Sequence, residues 1–326
     1  MGQFKRFGVL AVFCTFFLFA VPGVQAQTYP SKPVRLLVGF APGGAADIAG
    51  RLMAQSLAQA LRQAFVVDNR PGAGGLVALD LVAKASPDGY AVAVGTPGPL
   101  TISPEWYKEE MNFDPEEKLD SVVKFASTPA LILVRNDLGV DSIDELIGIS
   151  KKGQPLMMAS AGAGTVMHLT GEYFQARNDL DWTHVPYKGS SPALVDLIAG
   201  RVDVMVDLEP AALPHINAGR IKVLAITAPE RSKQLPDVPT LDELGYPGYD
   251  LGSWWSLSVP KGTPRAVIDK LNAAINDALK TPEVIKQLAD LGAVPAGGSP
   301  EALGDQIRED SQRWRKIIQA AKAETK

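Results

Sequence analysis

Short β-rich runs alternate with segments of helical periodicity along this chain, and the alternation occurs twice. The first series opens with the apolar run 34–40, continues through a helical segment at 46–62 and ends on the strand-like run 90–95. The second series extends from 142 to 227 and repeats the plan. Such alternation is typical of α/β layers with mainly parallel strands. It constrains the fold more than any single motif does.

Two long extended runs, 122–134 and 253–259, separate the two series from each other and from three C-terminal helices. We expect each run to cross between two lobes that enclose a cleft, because ligands of such sheets bind beyond the carboxyl ends of the strands. Lobe 1 would then contain residues 27–127 and 253–326, and lobe 2 would contain residues 128–252. The alternative is one doubly wound domain with helical additions.

The first 26 residues are typical of an export signal. Lys5 and Arg6 precede an apolar run at 7–21, and small residues follow at the end of the segment. The run is shorter than the roughly 20 residues that span a bilayer. We therefore predict cleavage after Ala26 and a mature protein in the periplasm. An uncleaved membrane anchor is the alternative.

Composition excludes several classes of protein. The net charge is −4 and no basic run occurs, which argues against nucleic acid as a partner. The single cysteine, Cys14, lies inside the predicted signal, so no disulfide is expected in the mature chain. No apolar stretch after the signal is long enough to cross a membrane. The mature chain must be stabilised by burial of its core.

Two strand-to-helix turns of the same kind, one in each series, carry the strongest functional signal. They occupy 38–47 (VGFAPGGAAD) and 158–168 (MASAGAGTVMH), and the turn at 95–98 has a similar character. Their glycines allow close backbone approach, and the helix that follows directs free N–H groups at a ligand. These groups favour an anion. A single turn of this kind is an ordinary tight turn about as often as it is an anion site. A matched pair, with one turn in each series, favours anion binding.

Neither turn fits a nucleotide or catalytic motif. The first lacks the Lys-Ser/Thr of a P-loop, and Met167 stands where the dinucleotide fingerprint has its third glycine. Ser160 does not lie in a G-x-S-x-G elbow. His168, His184 and His215 do not have the H-E-x-x-H spacing of a metal site. We therefore predict no catalytic residues, no metal and no cofactor, and thus no enzyme.

A series of short motifs resembles a known family. In order they are YPSKP at 29–33, FAPGG at 40–44, NRPGAGG at 69–75, PDGY at 87–90, VPYKGS at 185–190, VDVM at 202–205, LPHI at 213–216, LPDVPT at 235–240 and GTP at 262–264. Together they resemble the extracytoplasmic solute receptors of tripartite tricarboxylate transporters, the Bug (TctC-like) family. The resemblance extends from about Tyr29 to the C-terminal helix.

The resemblance implies an α/β, two-lobed periplasmic binding protein-like (type II) fold with its ligand cleft between the lobes. It implies a monomer that closes on a small carboxylate and hands it to the membrane subunits of a tripartite tricarboxylate-type transporter. Known family ligands include citrate, aspartate, glutamate and aromatic dicarboxylates. The implied ligand contacts are Phe40, Ala41, Gly43, Gly44, Asp47, Gly95 and Thr96 in lobe 1, and Ser160, Gly162, Gly164, Thr165, His168, Tyr187 and Asp207 in lobe 2.

Four positions depart from the family pattern, and so does the segment 96–100, which lacks side-chain amides that relatives carry. Ala45, Ala46, Ala163 and Leu208 stand where relatives often carry side chains that form hydrogen bonds. Polar groups of citrate or aspartate would be left unpaired there, at a cost of about 1–3 kcal/mol each. A less polar aromatic or alkyl acid is therefore the preferred hypothesis, beside a di- or tricarboxylate. A ligand-sensing receptor that feeds a signalling protein and a secreted hydrolase are the alternative functions.

Overall fold

A computed structural model describes residues 29–107, 111, 114–153 and 155–324, so the predicted signal lies outside the described residues. The strands are β1 (Val34–Val38), β2 (Phe65–Asn69), β3 (Ala91–Gly95), β4 (Leu119–Thr128), β5 (Ala130–Arg135), β6 (Met157–Ser160), β7 (Thr183–Pro186), β8 (Val204–Leu208), β9 (Ile221–Ile226), β10 (Ser253–Pro260) and β11 (Val294–Pro295). The helices are α1 (Ala45–Leu61), α2 (Leu76–Ala83), α3 (Ser103–Trp106), α4 (Pro115–Lys118), α5 (Ile143–Ser150), α6 (Val166–Asn178), α7 (Ser190–Ile198), α8 (Glu209–Asn217), α9 (Arg265–Ala278), α10 (Pro282–Asp290) and α11 (Pro300–Glu324).

The strands form two sheets. The first has the order β11-β4-β10-β3-β1-β2 and the second the order β7-β6-β8-β5-β9. Both are mixed, whereas the sequence predicts mainly parallel strands. β1 pairs in parallel with β2 and β3, as β6 does with β7 and β8, while β5, β10 and β11 pair antiparallel. Helical crossovers produce the parallel pairs, since parallel neighbours need a long connection.

The chain passes between the sheets at Pro129. The sequence predicts one strand over 122–134, but the structure has two, β4 and β5, in different sheets. Proline has no N–H to continue the ladder, so the strand ends there. The return crossing runs alongside, because Ser253 at the start of β10 pairs with Thr128 at the end of β4. Two neighbouring extended segments thus join the two sheets.

Helices cover both faces of the first sheet. Leu36 of β1 packs in a hydrophobic cluster with residues of α1 and α9, whereas Leu37 packs with residues of α2 and α11. Trp255 and Trp254 of β10 divide between the same two clusters. Successive side chains of a strand point to opposite faces, so one strand contributes to both layers. Within the described ranges, no helix combines the length and apolar character that crossing a bilayer requires.

The helix α8 has no counterpart in the sequence analysis. It begins directly after β8 and contains Pro210 and Pro214. Proline is tolerated in the first turn of a helix, where an N–H has no intrahelical partner. Two prolines four residues apart nevertheless favour a loop. The helix forms because of tertiary packing, since α8 contacts α1 as well as β8 and β9.

Replacing Gly39 by alanine should destabilise the protein. An added β-carbon would lie 2.5 Å from the Cα atom and 2.7 Å from the carbonyl oxygen of Gly75, and neither backbone atom can move aside easily. We expect a loss of about 1–3 kcal/mol in the free energy of unfolding, as for other overpacked sites. Urea unfolding monitored by circular dichroism measures it.

The control is Gly148→Ala in α5, where an added β-carbon has no atom within 4 Å. Alanine should stabilise this helix by about 0.5–1 kcal/mol. Equal unfolding midpoints for Gly39→Ala and the wild-type protein would contradict the close packing of the first turn.

Candidate functional site

The turns at the carboxyl ends of the strands in the two sheets meet each other. The N–H of Ala41 donates to the carbonyl oxygen of Lys188 at 2.9 Å, which joins the first turn to the segment after β7. Gly74 lies against the second turn, so closely that a β-carbon there would be 2.5 Å from the carbonyl oxygen of Ala163. The two halves of the chain therefore touch around a common space. This space lies beyond the carboxyl ends of the strands, where the sequence predicts a cleft.

That space is a cavity between the turns, here called the cleft cavity. The cavity is narrow in this structure, with a volume of about 20 Å³, because the two sides lie close together. Its lining combines apolar side chains, hydroxyl groups and glycine backbone. The lining residues are Phe40, Gly44, Ala45, Ala46, Thr96, Gly98, Ala161, Thr165, Val166, Met167, Ser190, Leu208, Ser253 and Trp255.

Three helices begin at the cleft cavity. α1 starts after Gly44 and α7 after Gly189, and neither start has a side-chain cap. α6 starts after Thr165, whose hydroxyl accepts a hydrogen bond from the N–H of His168 at 3.3 Å. The first N–H groups of a helix have no partner within it and carry a partial positive charge. Their arrangement around one cavity suits a negatively charged group.

Asp47 shapes the first turn from behind. It is only 2% exposed, and one of its oxygens accepts hydrogen bonds from the N–H of Gly43 and from Nε of Arg51, each at 2.9 Å. Its other oxygen accepts from Nδ2 of Asn69 at 2.9 Å. Burial opposes ionisation, but the hydrogen bonds from Arg51, Gly43 and Asn69 together hold the pKa of Asp47 below its usual range. This carboxylate therefore organises the turn instead of lining the cavity.

The second turn is held by its own polar groups. Thr165 Oγ1 donates to the carbonyl oxygen of Gly162 at 2.6 Å, while it also caps α6. The N–H of Gly164 donates to Nδ1 of His168 at 3.2 Å. An accepting Nδ1 places the proton of the neutral ring on Nε2. Thr165 and His168 thus fix the path of the turn, and only Thr165 also reaches the cavity wall.

His168, which is buried, and His184, which is half-buried, form a pair behind this turn. Their rings stack with centroids 4.0 Å apart, and His184 Nε2 lies 2.7 Å from Ser160 Oγ. Burial lowers the pKa of His168 to about 3, with a further contribution from His184, and lowers that of His184 to about 4. Both rings are therefore neutral at physiological pH.

Within the described part of the chain, ligand atoms of His168, His184 and Glu172 lie within 4.8 Å of one another. A metal ion there would have to displace hydrogen bonds that already hold the second turn, because Ser160 contacts His184 and Gly164 donates to His168. The geometry favours a structural role for this group.

Two further predicted contacts lie in or directly after a strand of the second sheet. Tyr187 donates its hydroxyl proton to Asp196 at 2.7 Å, and burial together with Asp196 raises its pKa to about 12. Asp207 is fully buried, and its Oδ1 accepts from Ser190 Oγ at 2.5 Å. Its Oδ2 has no hydrogen-bond partner among the described residues. Burial raises the pKa of Asp207 to about 7, although the bonds from Ser190 and Leu208 oppose the rise.

The structure divides the predicted contacts into two groups. Phe40, Gly44, Thr96 and Thr165 line the cleft cavity. The others lie in or behind the turns around it: Ala41, Gly43, Asp47, Gly95, Ser160, Gly162, Gly164, His168, Tyr187 and Asp207. Of these, Gly162 and Tyr187 line a second, larger cavity, which also lies between the two halves.

Several lining residues were not predicted as contacts. Ala45, Ala46 and Met167 lie inside the two predicted turn segments, in the first turn of the helix that follows, and this position is the signal that could have identified them. Ser253 and Trp255 lie on the return strand β10, which has no loop motif.

Comparisons with known proteins match this chain to a family of transporter receptors. A family model described as "Tripartite tricarboxylate transporter family receptor" matches residues 49–322. Protein BugT of Bordetella pertussis is 35% identical over 329 residues, which covers 100% of each chain.

Two solved structures are similar to this chain over most of its length. R. palustris Rpa4515 with adipate superposes with a TM-score of 0.87 at 36% identity, covering 90% of this chain and 98% of that one. MatC (Rpa3494) from Rhodopseudomonas palustris with bound malate superposes with a TM-score of 0.85 at 33% identity, covering 89% and 100% respectively. The fold is thus that of the two-lobed periplasmic binding proteins, and the matched proteins are substrate-binding receptors, not enzymes.

The raised pKa of Asp207 predicts a pH dependence of stability. The folded chain keeps this proton up to about pH 7, whereas the unfolded chain loses it near pH 4, so the folded state binds more protons between these values. Ionisation of Asp207 should therefore make the free energy of unfolding fall as the pH rises from about 4 to about 7. Asp207→Asn should remove this contribution, which is on the order of 1 kcal/mol or more. In this variant Glu209, whose burial also raises its pKa to about 7, should still cause a fall in the free energy of unfolding of similar size. His168 and His184, whose pKa values are lowered, contribute an opposing rise over the same range, so the comparison between variant and wild-type protein isolates the contribution of Asp207.

Urea unfolding at several pH values across this range measures the slope. Asp277→Asn, which neutralises an exposed carboxylate, should keep the wild-type slope. A wild-type slope in Asp207→Asn would show that the carboxyl group is not buried as described.

Proposed function

The chain belongs to the tripartite tricarboxylate transporter receptor family, and we propose that it captures a small carboxylate in the periplasm and delivers it to the membrane subunits of such a transporter. The complexes of similar proteins with adipate and malate support a carboxylate as the ligand class. The receptor would act as a monomer, with no cofactor.

The convergence of three helix starts on one cavity is the observation that carries this proposal. No residue that lines the cleft cavity, all of them in the described part of the chain, has a charged side chain. An anion that enters must therefore be stabilised by the N–H groups of α1, α6 and α7 and by neighbouring hydroxyl groups. Such donors are already oriented, so they lose little freedom when the ligand binds.

The walls of the cavity support a ligand with an apolar body. Ala45, Ala46 and Leu208, three of the positions that depart from the family pattern, all line it, and Phe40 and Met167 add further apolar surface. We therefore propose an alkyl or aromatic acid, including dicarboxylates with a hydrocarbon spacer, in preference to a polyhydroxy or amino acid. Each buried polar group without a partner would cost about 1–3 kcal/mol.

Capture would proceed by closure of two lobes about the paired crossing segments. Residues 27–127 and 253–326 would form lobe 1, and residues 128–252 lobe 2. The neighbouring pair Thr128 and Ser253 supports a hinge at this point, because both connections between the sheets pass there. The hydrogen bond from Ala41 to Lys188 joins the two sides across the cleft. Opening would break this bond and expose the helix starts to water.

Ala46→Asp should abolish ligand binding. Position 46 lines the cavity in the first turn of α1, where a carboxylate is compatible with the helix but would occupy the place of the ligand's charge. Isothermal titration calorimetry with adipate, malate and aromatic dicarboxylates should give binding to the wild-type protein and at least about a hundredfold loss in the variant, equivalent to about 2.7 kcal/mol.

Ala60→Asp is the matched control, since it adds the same charge at an exposed position near the end of α1. It should bind like the wild-type protein. Undiminished affinity in Ala46→Asp would exclude the cleft cavity as the binding site.

A further inference from the structure

Two side chains of β10 and one that directly follows β3 form the part of the cavity wall next to the proposed hinge. They are Thr96, Ser253 and Trp255, here called the cleft floor. Ser253 and Trp255 are two residues apart on β10, so they point to the same face of the strand. The register that pairs Ser256 with Gly95 places Trp255 opposite Thr96 when it is extended by one residue.

The neighbouring tryptophans on β10 differ in the partners of their indole groups. Trp254 Nε1 donates to Asp310 Oδ2 at 2.6 Å on the face that packs against α11. Trp255 is fully buried on the other face and stacks on Phe125, with ring centroids 6.5 Å apart. Its Nε1–H has no hydrogen-bond partner among the described residues. The structure thus contains one satisfied and one unsatisfied indole donor in adjacent positions.

An unpaired buried donor is costly. Groups of this kind usually have a partner, and the exceptions need an explanation. Trp255 lies at a cavity that binds a ligand if the proposed function is correct, so a ligand atom can supply the missing acceptor. An indole N–H donates only and never accepts. The group that meets it must therefore be an acceptor, such as a carboxylate, carbonyl, ether or hydroxyl oxygen, and an ammonium group is excluded.

We propose that Trp255 donates a hydrogen bond to a second acceptor group of the ligand, separate from the carboxylate held by the helix starts. This inference rests on the proposed function and extends it to specificity. The hydroxyl groups of Thr96 and Ser253 can donate to the same group. The preferred ligands are then acids with an acceptor at both ends, and Trp255 discriminates them from monocarboxylates of the same length.

Trp255→Phe is the variant that tests this proposal, because it removes the N–H and keeps an aromatic ring against Phe125. Binding is measured by calorimetry with three matched pairs of acids: adipate and hexanoate, succinate and butanoate, terephthalate and benzoate. The wild-type protein should bind the diacid of at least one pair about tenfold or more tightly than its monoacid partner. In Trp255→Phe this ratio should fall toward one, through weaker binding of the diacid.

Trp254→Phe is the matched control, since it removes the donor that already has a partner. This variant should keep the wild-type ratio of diacid to monoacid affinity. It should lower the melting temperature of the ligand-free protein, because Asp310 loses the hydrogen bond from the indole of Trp254. Trp255→Phe should leave that melting temperature unchanged or raised. A structural role for Trp255 would give the opposite pattern, with lower stability and an unaltered ratio.

A measurement on the wild-type protein is independent of whether the variants fold. In protein labelled with nitrogen-15 tryptophan, one indole N–H resonance should move downfield with the diacid and not with its monoacid partner. An unchanged ratio in a folded Trp255→Phe, equal shifts with both acids, or tighter binding of the monoacids would each overturn the role of Trp255 and leave carboxylate capture intact. Failure of the wild-type protein to bind any of the six acids would instead overturn the proposed function, and this inference with it.

Discussion

Unpaired N–H groups at the starts of α1, α6 and α7 are the feature on which the rest of the site depends. Such groups are useful only if the turns that precede the helices keep their shape. Asp47 holds the first turn through three hydrogen bonds, and Thr165 with His168 holds the second. The carboxylate of Asp47 and the imidazole ring of His168 therefore lie one layer behind the cavity. The cavity itself presents backbone and hydroxyl groups together with aliphatic and aromatic side chains.

This arrangement would couple binding to the proposed closure of the two lobes. In an open molecule, water satisfies the N–H groups of the helix starts. Closure removes that water, so the closed state is stabilised when an anion takes its place and is penalised when the cavity stays empty. The contact between Ala41 and Lys188 contributes a single hydrogen bond across the cleft, which is worth about 0.5–1.5 kcal/mol. A ligand that contacts both sides can shift the equilibrium by more than this bond does.

The sequence predicts local helices, strands and turns well. It predicts the pairing and packing of segments that are distant in the chain less well. Hydrophobic periodicity places the runs 34–40, 46–62, 90–95 and 253–259 close to the observed β1, α1, β3 and β10. The glycine turns identify the starts of α1 and α6, since both signals are local. The split at Pro129, the strand directions and the helix α8 depend on tertiary packing. Ser253 and Trp255 reach the cavity through the register of β10 on β3, which no local motif encodes. The sequence also does not reveal that Asp47 and His168, both predicted as ligand contacts, accept hydrogen bonds from backbone N–H groups of the turns.

A crystal structure of the protein with its tightest-binding acid tests the central claim most directly. We expect a carboxylate in the cleft cavity whose oxygens lie about 2.7–3.2 Å from backbone nitrogens in the first turns of α1 and α6, with no Lys or Arg side chain against it. A carboxylate paired with a basic side chain, or a ligand bound outside this cavity, would contradict the claim.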